Sequence, residues 1–194
     1  MQLESMSTKE KILYAAVQLV AEHGFKETTV KDIAQFAGLS EMTVFRHFGS
    51  KVAIVEEAMR NYSFVYPIKN EVLNKLTWEL ETDLLLIARM YYNFNKKNEK
   101  VLLIKFKEGQ KLFNVDISES PRKLKEFLRE YFDKMREMGK IISTNNEALA
   151  LNFMNYNFGN FCGNFIPGNG IVTELTKLEA VEYGVKIFAR GLKP

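Results

Sequence analysis

The sequence predicts an all-α protein of nine helices. Apolar side chains recur at helical spacing along most of the 194 residues, and no segment shows the sustained alternation of a strand. The four prolines lie far apart, which suits long helices with breaks near the first three prolines. A hydrophobic fraction of 46% provides enough apolar area for packed cores without a disulfide.

The first helix is predicted to run from Thr8 to His23. Ser7 and Glu10 form a capping-box pair at its start, and Gly24 follows directly as a stop signal. The residues that recur on its apolar face are Ile12, Leu13, Ala16, Val17, Leu19 and Val20.

A second and a third helix follow, separated by a short turn. Thr29 and Asp32 form the capping pair of the second helix, and Ser40 caps the third. The two helices are predicted to cover about residues 29–36 and 40–47.

Six further helices are predicted from caps, breaks and apolar spacing. Ser50 caps the fourth helix, and Pro121 after Ser120 is typical of a helix start. A loop is predicted at 166–172, before the last helix. The predicted ranges are 50–66, 79–95, 101–112, 121–138, 146–165 and 173–192.

Several function classes do not fit this composition. The single cysteine, Cys162, cannot form an intramolecular disulfide, and we expect it to be a small buried residue. His23 and His47 are the only histidines, and no metal-ligand spacing, phosphate loop or catalytic triad is found. We therefore expect no enzyme activity, no metal and no cofactor.

The chain lacks the features of a membrane or secreted protein. Its first residues, MQLESMSTKEK, do not include the apolar stretch of a signal peptide. The longest apolar run, Leu84–Ala88, is far shorter than the roughly 18 residues that span a bilayer. We therefore expect no membrane partner and a cytoplasmic location.

The second and third predicted helices fit a helix-turn-helix at residues 29–48. Ala34 is small enough for two helices to cross, Gly38 suits a turn with positive φ, and Val44 packs the third helix on the second. This spacing of a small, a glycine and a β-branched residue is typical of the motif. The residues that complete its small core are Ile33, Ala37 and Leu39.

The outer face of the third helix is then free to meet base edges in duplex DNA. Thr43 offers a hydroxyl and a methyl group, and Met42 can contact a thymine methyl. Arg46 can read guanine or hold a phosphate. Glu41 can accept from cytosine N4, but it is equally explained as an acid that stabilises the helix dipole.

Other polar residues at helix starts and edges are candidates for phosphate contacts. These are Thr29, Lys31, His47 and Lys51, and Ser40 is expected to contact DNA as well as cap its helix. Lys31 and Lys51 outside such a motif would simply be solvated charges. Residues 1–66 carry seven cationic and eight acidic side chains, a net charge of −1, so binding must depend on placed contacts and not on bulk charge.

Residues 8–59 resemble the DNA-binding domain of the tetracycline-repressor (TetR/AcrR) family. The resemblance runs through A-x-x-L-x-x-x-x-G-F, T-T-x-x-x-I-A, A-G-x-S-x-x-T-x-F-x-H-F and S-K, and it covers about a quarter of the chain. It implies a two-domain TetR-like fold: a helix-turn-helix domain at 1–49, a connecting helix at 50–66, and a helical ligand-binding and dimerisation domain at 67–194.

The resemblance also implies a function. We expect a homodimeric repressor that binds a palindromic operator in double-stranded DNA and is released by a small apolar or aromatic effector. Ligand bound in the C-terminal domain would shift the fourth helix and change the spacing of the two recognition helices. The alternative is a DNA-organising or protein-responsive DNA-binding protein without a small-molecule ligand.

Two positions depart from the usual family pattern. The family often has glycine where Met42 stands and tyrosine where Phe45 stands. That tyrosine commonly donates to a phosphate, which Phe45 cannot do. The family's other base-reading positions fall on Lys31, Glu41 and Thr43, and its phosphate-contacting positions fall on Thr29, His47 and Lys51.

The resemblance implies a cavity in the C-terminal part, which is rich in aromatic and methionine side chains. Such a lining suits a flat or apolar ligand, although the same residues are equally explained as core. The residues predicted to line the cavity are Met90, Phe94, Phe106, Tyr131, Phe132, Met135, Phe153, Tyr156 and Asn157.

The last two helices are predicted to form the dimer interface, as the family uses them. Gly159 and Gly163 lie four residues apart on one helical face and would allow another helix to approach closely. Packing within one subunit is the alternative. The other residues predicted at this interface are Phe158, Phe161, Cys162, Phe165, Val181, Val185 and Phe188.

Overall fold

The structure is a computed structural model that describes residues 4–62, 72–108, 113, 115–116, 118–165 and 174–194. Within these ranges the chain forms nine α-helices and no strand, which confirms the predicted fold class. Their bounds are α1 Thr8–His23, α2 Val30–Ala37, α3 Glu41–Phe48, α4 Lys51–Tyr62, α5 Leu80–Lys97, α6 Glu99–Glu108, α7 Glu119–Glu137, α8 Asn146–Cys162 and α9 Lys177–Gly191.

Parts of four predictions fall outside the described residues. They are the end of the fourth helix at 63–66, the end of the sixth at 109–112, the loop at 166–172 and the start of the ninth helix at residue 173.

The helix starts follow their caps. The predicted capping boxes of α1 and α2 both form, and Ser50 Oγ accepts a hydrogen bond from the amide of Ala53 at the start of α4. A further capping box, which the sequence analysis missed, joins Thr176 to Glu179 at the start of α9. It places the first residue of α9 four positions after the predicted start.

Two helix borders differ from the prediction. α7 begins at Glu119, two residues before the predicted start at Pro121. Proline is tolerated there because the amides of the first turn have no acceptor within the helix. α8 ends at Cys162, and the chain continues as a short 3₁₀ turn, Gly163–Phe165, instead of the predicted α-helix.

The chain divides into two compact units, with borders that differ from the predicted domains. The first unit comprises Met1–Phe64 and Asn98–Ile117, and the second comprises Val65–Lys97 and Ser118–Pro194. The predicted division assigned α6 to the C-terminal domain, whereas the structure places it in the first unit.

Apolar packing explains why α6 belongs to the first unit. Val101 and Ile104 are buried in the same core as the apolar face of α1, and the Phe113 ring meets the Phe25 ring edge-on at 5.2 Å. Lys107 Nζ donates to the carbonyl oxygen of Ala21 at 2.9 Å, near the end of α1. No local sequence signal announces these contacts, because they join residues more than 80 positions apart.

The second unit is a helical bundle with an aromatic core. Phe132 is fully buried, and its ring packs against Tyr131 and Phe188. A carboxylate lies inside this core: Asp83, 0% exposed, accepts hydrogen bonds from the amide and hydroxyl of Thr77 and from the hydroxyl of Tyr131. Burial, followed by the charge of Asp83, raises the pKa of Tyr131. No helix in the described ranges is long and apolar enough to cross a membrane.

Candidate DNA-binding site

The helix-turn-helix forms as its sequence pattern predicts. Gly38 adopts the left-handed conformation with φ of 68°, and the amide of Leu39 donates back to the carbonyl oxygen of Ala34 at 2.9 Å. Ala34 is 2% exposed and Val44 is 0% exposed, so α3 is held against α2 by small and β-branched side chains. The position of α3 is therefore fixed by its inner face.

The outer face of α3 is exposed, as predicted. Met42 is 78% exposed and Phe45 is 65% exposed, although both side chains are apolar. Glu41, Arg46 and His47 are also exposed. Thr43 is half-buried, so these five side chains and part of Thr43 are available to a molecule that docks on α3.

Two hydroxyls at the start of α3 are engaged within the chain. Ser40 Oγ accepts from the amide of Thr43 at 3.1 Å, and the two side-chain hydroxyl oxygens lie 2.8 Å apart. Ser40 is therefore the predicted N-cap. Because the hydroxyl of Thr43 is already hydrogen-bonded, its methyl group is the part that needs no rearrangement to contact a base.

Thr29 is also a confirmed N-cap. Its hydroxyl and its amide both donate to Asp32 Oδ2, at 2.6 Å and 2.9 Å. These hydrogen bonds, from the side chain first and then from the backbone, lower the pKa of Asp32. Lys31 is exposed in the first turn of the same helix, where its predicted contact with a phosphate remains sterically open.

Lys51 makes contacts within the chain that the sequence analysis did not predict. Its half-buried ammonium donates to the carbonyl oxygens of Phe25 at 2.6 Å and of Thr28 at 2.5 Å, and lies 4.2 Å from the centre of the Phe25 ring. A third carbonyl oxygen, that of Lys26, is 3.5 Å away. Through these acceptors Lys51 holds the loop between α1 and α2, while its contact with a DNA phosphate stays a prediction.

The sequence analysis missed a second residue that holds this loop. Glu108, at the end of α6, accepts from the amide of Phe25 at 2.6 Å. Its Oε1 would lie 3.3 Å from a Cβ on Gly24, where φ is 90°. Glu108 and Lys51 therefore both hold the loop between α1 and α2 by hydrogen bonds to its backbone. Because the two residues are far apart in the sequence, no sequence motif could have linked them.

These features define a class of protein. It is a helix-turn-helix protein in which the second helix of the motif, α3, has its outer face open for contact with DNA. A family model described as bacterial regulatory proteins, tetR family, matches residues 12–58. An uncharacterized HTH-type transcriptional regulator of Bacillus subtilis, YvkB, is 30% identical over 188 residues, which cover 95% of this chain and 97% of the relative. The chain belongs to the tetR family. It is a transcriptional regulator, not an enzyme.

Two further similarities agree with this assignment. The HTH-type transcriptional repressor KstR2 of Mycolicibacterium smegmatis is 34% identical over 76 residues, 39% of this chain and 37% of the repressor. The structure of the ketosteroid transcriptional regulator KstR2 of Mycobacterium tuberculosis superposes with a TM-score of 0.71 over 97% of this chain and 96% of that one, at 18% identity. At this identity the structural match shows the common fold alone.

Seven of the nine predicted cavity residues lie together in the second unit. Tyr131, Phe132, Met135 and Phe153 are buried in its core, and Asn157 is 3% exposed. Met90 and Phe94 are half-buried against the same core. The amide nitrogen of Asn157 donates to the carbonyl oxygen of Phe153, whereas its Oδ1 is buried without a partner in the described part of the chain.

The other two predicted cavity residues lie away from this core, Phe106 in the first unit and Tyr156 at the surface of the second. Phe106 is 55% exposed on α6 and belongs to the first unit, because the buried face of that helix is formed by Val101 and Ile104. Tyr156 is 39% exposed and joins α8 to α9, since its hydroxyl donates to the carbonyl oxygen of Ala180 at 2.8 Å. Its side chain lies against Gly184, where a Cβ would stand 1.8 Å from the Tyr156 hydroxyl oxygen and 2.0 Å from the ring carbon that carries it.

Part of the predicted dimer interface is also corrected. Phe161, Val181 and Val185 are at most 1% exposed, so they pack inside their own subunit and offer no surface to a second one. Phe188 contacts the rings of Phe132 and Phe153 in the same core. Packing within one subunit therefore accounts for Phe161, Val181 and Val185, whereas Phe188 is half-buried and its place in the interface stays a prediction.

The other five predicted interface residues have mixed positions. Gly159 is exposed, and Gly163 is buried. Phe158, Cys162 and Phe165 are half-buried, and burial raises the pKa of the Cys162 thiol. The apolar side chains that do face outward on α8 and α9, besides Tyr156, are Leu151, Tyr183 and Ile187, which the sequence analysis missed.

Proposed function

We propose that this protein is a ligand-responsive repressor that binds a palindromic operator as a homodimer. The observation that carries the proposal is the orientation of α3, whose inner face is buried around Val44 while its outer face is open. In a two-fold dimer, two such helices enter successive major grooves about 34–36 Å apart. Thr43, Arg46 and the side chains around them then read the bases.

A selection experiment tests operator binding. The purified full-length protein is used to select DNA from a random pool, and affinity for the selected palindrome is measured by fluorescence anisotropy against scrambled DNA. We expect a consensus with two-fold symmetry, and a loss of affinity in Thr43→Ala and Arg46→Ala. Arg122→Ala, at an exposed arginine of α7, is the matched control. Equal affinity for all sequences would refute specific repression.

The dimer that we propose pairs the outward faces of α8 and α9 with a second copy. Leu151 on α8 and Tyr183 and Ile187 on α9 are 42%, 59% and 70% exposed. Of the seven exposed positions on α8, one is charged: Glu147, Ala148, Leu151, Asn152, Asn155, Tyr156 and Gly159. A helical face with so little charge and so much apolar area suits a four-helix interface between two subunits.

Sedimentation velocity tests this interface. We expect a dimer for the wild type and a monomer for Ile187→Asp, because a buried unpaired carboxylate opposes association. Ile142→Asp is the matched control, since Ile142 is 40% exposed but lies outside α8 and α9. A dimer that survives Ile187→Asp would contradict the proposed interface.

The effector that we propose is small and largely apolar, and it binds among the aromatic and methionine side chains of the second unit. The unpartnered Oδ1 of Asn157 supports one hydrogen-bond donor on that ligand, because a buried acceptor without a partner is costly. Testosterone and oleyl alcohol serve as probes, because each carries a hydroxyl donor on a largely apolar body. We expect one of them to raise the melting temperature and weaken operator binding, and less so in Asn157→Ala.

The buried side chains also support the second candidate. Phe132 and Met135 are 0% exposed and tightly surrounded, as in a filled core. A regulator with a filled core would be controlled by a protein partner or would bind DNA without an effector. Selective operator binding without any response to an apolar probe would favour this candidate.

A further inference from the structure

The most exposed part of α3 is apolar, which is unusual for a surface helix. Met42, Phe45 and Ile187 are the three most exposed large hydrophobic side chains of the described residues, at 78%, 65% and 70%. Met42 and Phe45 are three positions apart, so they are neighbours on one helical face with Cβ atoms about 5–6 Å apart. The centre of the outer face is therefore a thioether beside a phenyl ring.

The polar group nearest to this apolar pair is not free to compete with it. The hydroxyl of Thr43 lies 2.8 Å from that of Ser40, whose oxygen also accepts the Thr43 amide. Phe45 carries no hydroxyl that could reach a phosphate. Hydrogen-bonding groups lie beside the pair instead, on Glu41, Arg46 and His47.

Resting on the operator binding proposed above, we infer that Met42 and Phe45 determine sequence specificity by reading the C5-methyl groups of thymine. That methyl is the large apolar group on a base edge in the major groove. Base pairs rise about 3.4 Å per step, so two side chains 5–6 Å apart meet methyl groups on neighbouring or next-neighbouring pairs. The half-site should therefore contain thymines at two such positions.

The charges around the pair favour DNA over a protein as its occupant. Arg46 follows Phe45 on α3 and Lys31 is exposed at the start of α2, so cationic groups are available for the DNA backbone, and the exposed imidazole of His47 can hydrogen-bond to it. Glu41 is the one acidic group of α3, and it can accept from a cytosine amino group. An apolar patch bordered by cations suits a groove that carries methyl groups between phosphates.

The test replaces thymine by deoxyuridine, which removes the methyl group alone. The operator is selected with the full-length protein, and each thymine is replaced in turn while affinity is measured by anisotropy. We expect the affinity for the operator to fall about fourfold for each methyl group that is read. This factor corresponds to the transfer free energy of one methyl-sized group. Replacement of four read thymines across both half-sites should weaken binding on the order of a hundredfold.

Variants assign the effect to the two side chains. Met42→Ala and Phe45→Ala should each bind thymine and deoxyuridine operators equally at the position that the missing side chain reads. Phe45→Tyr keeps the ring and should keep the discrimination. Phe106→Ala, at a phenylalanine 55% exposed on α6, is the matched control and should retain the full preference for thymine. All three positions are exposed, and circular dichroism verifies folding.

Three outcomes separate the two proposals. A palindromic consensus whose affinity falls with deoxyuridine, and no longer falls in the alanine variants, supports the inference. A consensus bound equally with thymine and deoxyuridine, or a preference that persists in both alanine variants, overturns the inference while operator binding stands. Failure to select any consensus refutes operator binding itself.

Discussion

The two units of this protein bury different kinds of side chains. Among the described residues, the first unit buries two polar side chains, Thr28 and Asn98, in a mainly aliphatic core with two buried phenylalanines. The second unit surrounds four buried polar side chains with an aromatic core: Asp83, Asn95, Asn146 and Asn157.

This difference shows where each unit places its hydrogen-bonding groups. The first unit carries the polar groups of its candidate site at helix caps, on the loop before α2 and on the outer face of α3, so its mainly aliphatic interior serves to hold α3 in place. The second unit carries hydrogen-bonding groups inside, where water is excluded and each group must find a partner. The arrangement of the first unit suits recognition of another molecule at the surface. The arrangement of the second unit would suit an interior that binds a ligand selectively.

The largest expected effect comes from the aromatic core. Phe132→Ala should lower the free energy of unfolding by about 3–5 kcal/mol, because it leaves a cavity among packed rings. Val44→Ala, at an equally buried position under α3, removes two methyl groups and should cost less. Urea unfolding followed by circular dichroism measures both. Equal losses would contradict the view that the second unit depends on large rings.

The buried carboxylate provides the next test. Tyr131→Phe removes the hydroxyl that donates to Asp83 at 3.1 Å, and should cost about 1–3 kcal/mol. Tyr183→Phe, at a tyrosine that is 59% exposed, is the control and should be nearly neutral. Thermal unfolding measures the difference. If both substitutions cost the same, the Asp83 cluster does not stabilise the second unit.

Lys51→Met tests how the first unit holds its loop. The substitution keeps an apolar stem against Phe25 but removes the ammonium, and should destabilise the first unit by about 1 kcal/mol, as for a partly exposed hydrogen bond. Operator affinity should fall, while the salt dependence of binding stays unchanged because no phosphate contact is lost.

Lys31→Met is the matched variant for that measurement. If Lys31 contacts a phosphate, its loss should reduce the slope of log K against log salt by about 0.9 for each contact. A reduced slope in Lys51→Met would instead assign Lys51 to the DNA backbone.

The smallest expected effect is on pH dependence. Hydrogen bonds from the N-cap serines and threonines lower the pKa of Glu10, Asp32 and Glu179. A carboxylate whose pKa is lower in the folded state adds stability above its unfolded pKa and loses it as the pH falls through the folded value. We therefore expect the unfolding midpoint in urea to be flat above about pH 5 and to fall at lower pH.

Asp32→Asn separates one cap from the other groups that titrate in the same range. The variant should be less stable than the wild type at pH 6, and the two stabilities should converge toward pH 3. A constant difference across this range would show that the capping carboxylate contributes nothing as an anion.

Most of the candidate DNA-binding site was predictable because its signals are local. Ser40 and Gly38 act within a few residues of their own positions, so spacing alone placed the cap and the turn. The same holds for the exposed side of α3, which is what remains once Val44 and its neighbours pack inward. The contacts of Lys51 within the chain were not predictable, because its partners, Phe25 and Thr28, approach it only through the fold.

The sequence by itself determined the helices of the described ranges, the caps of α1 to α4, the helix-turn-helix and the family. Each of these depends on interactions within about four residues, which a linear pattern records. Only the tertiary structure decided that α6 packs with the first unit and that Glu108 holds the loop after α1. It also decided that Asp83 is buried beside Tyr131 and that the side chain of Tyr156 packs against Gly184. These pairs are distant in sequence, and their energy depends on shape and exclusion of water at contacts that no local pattern encodes.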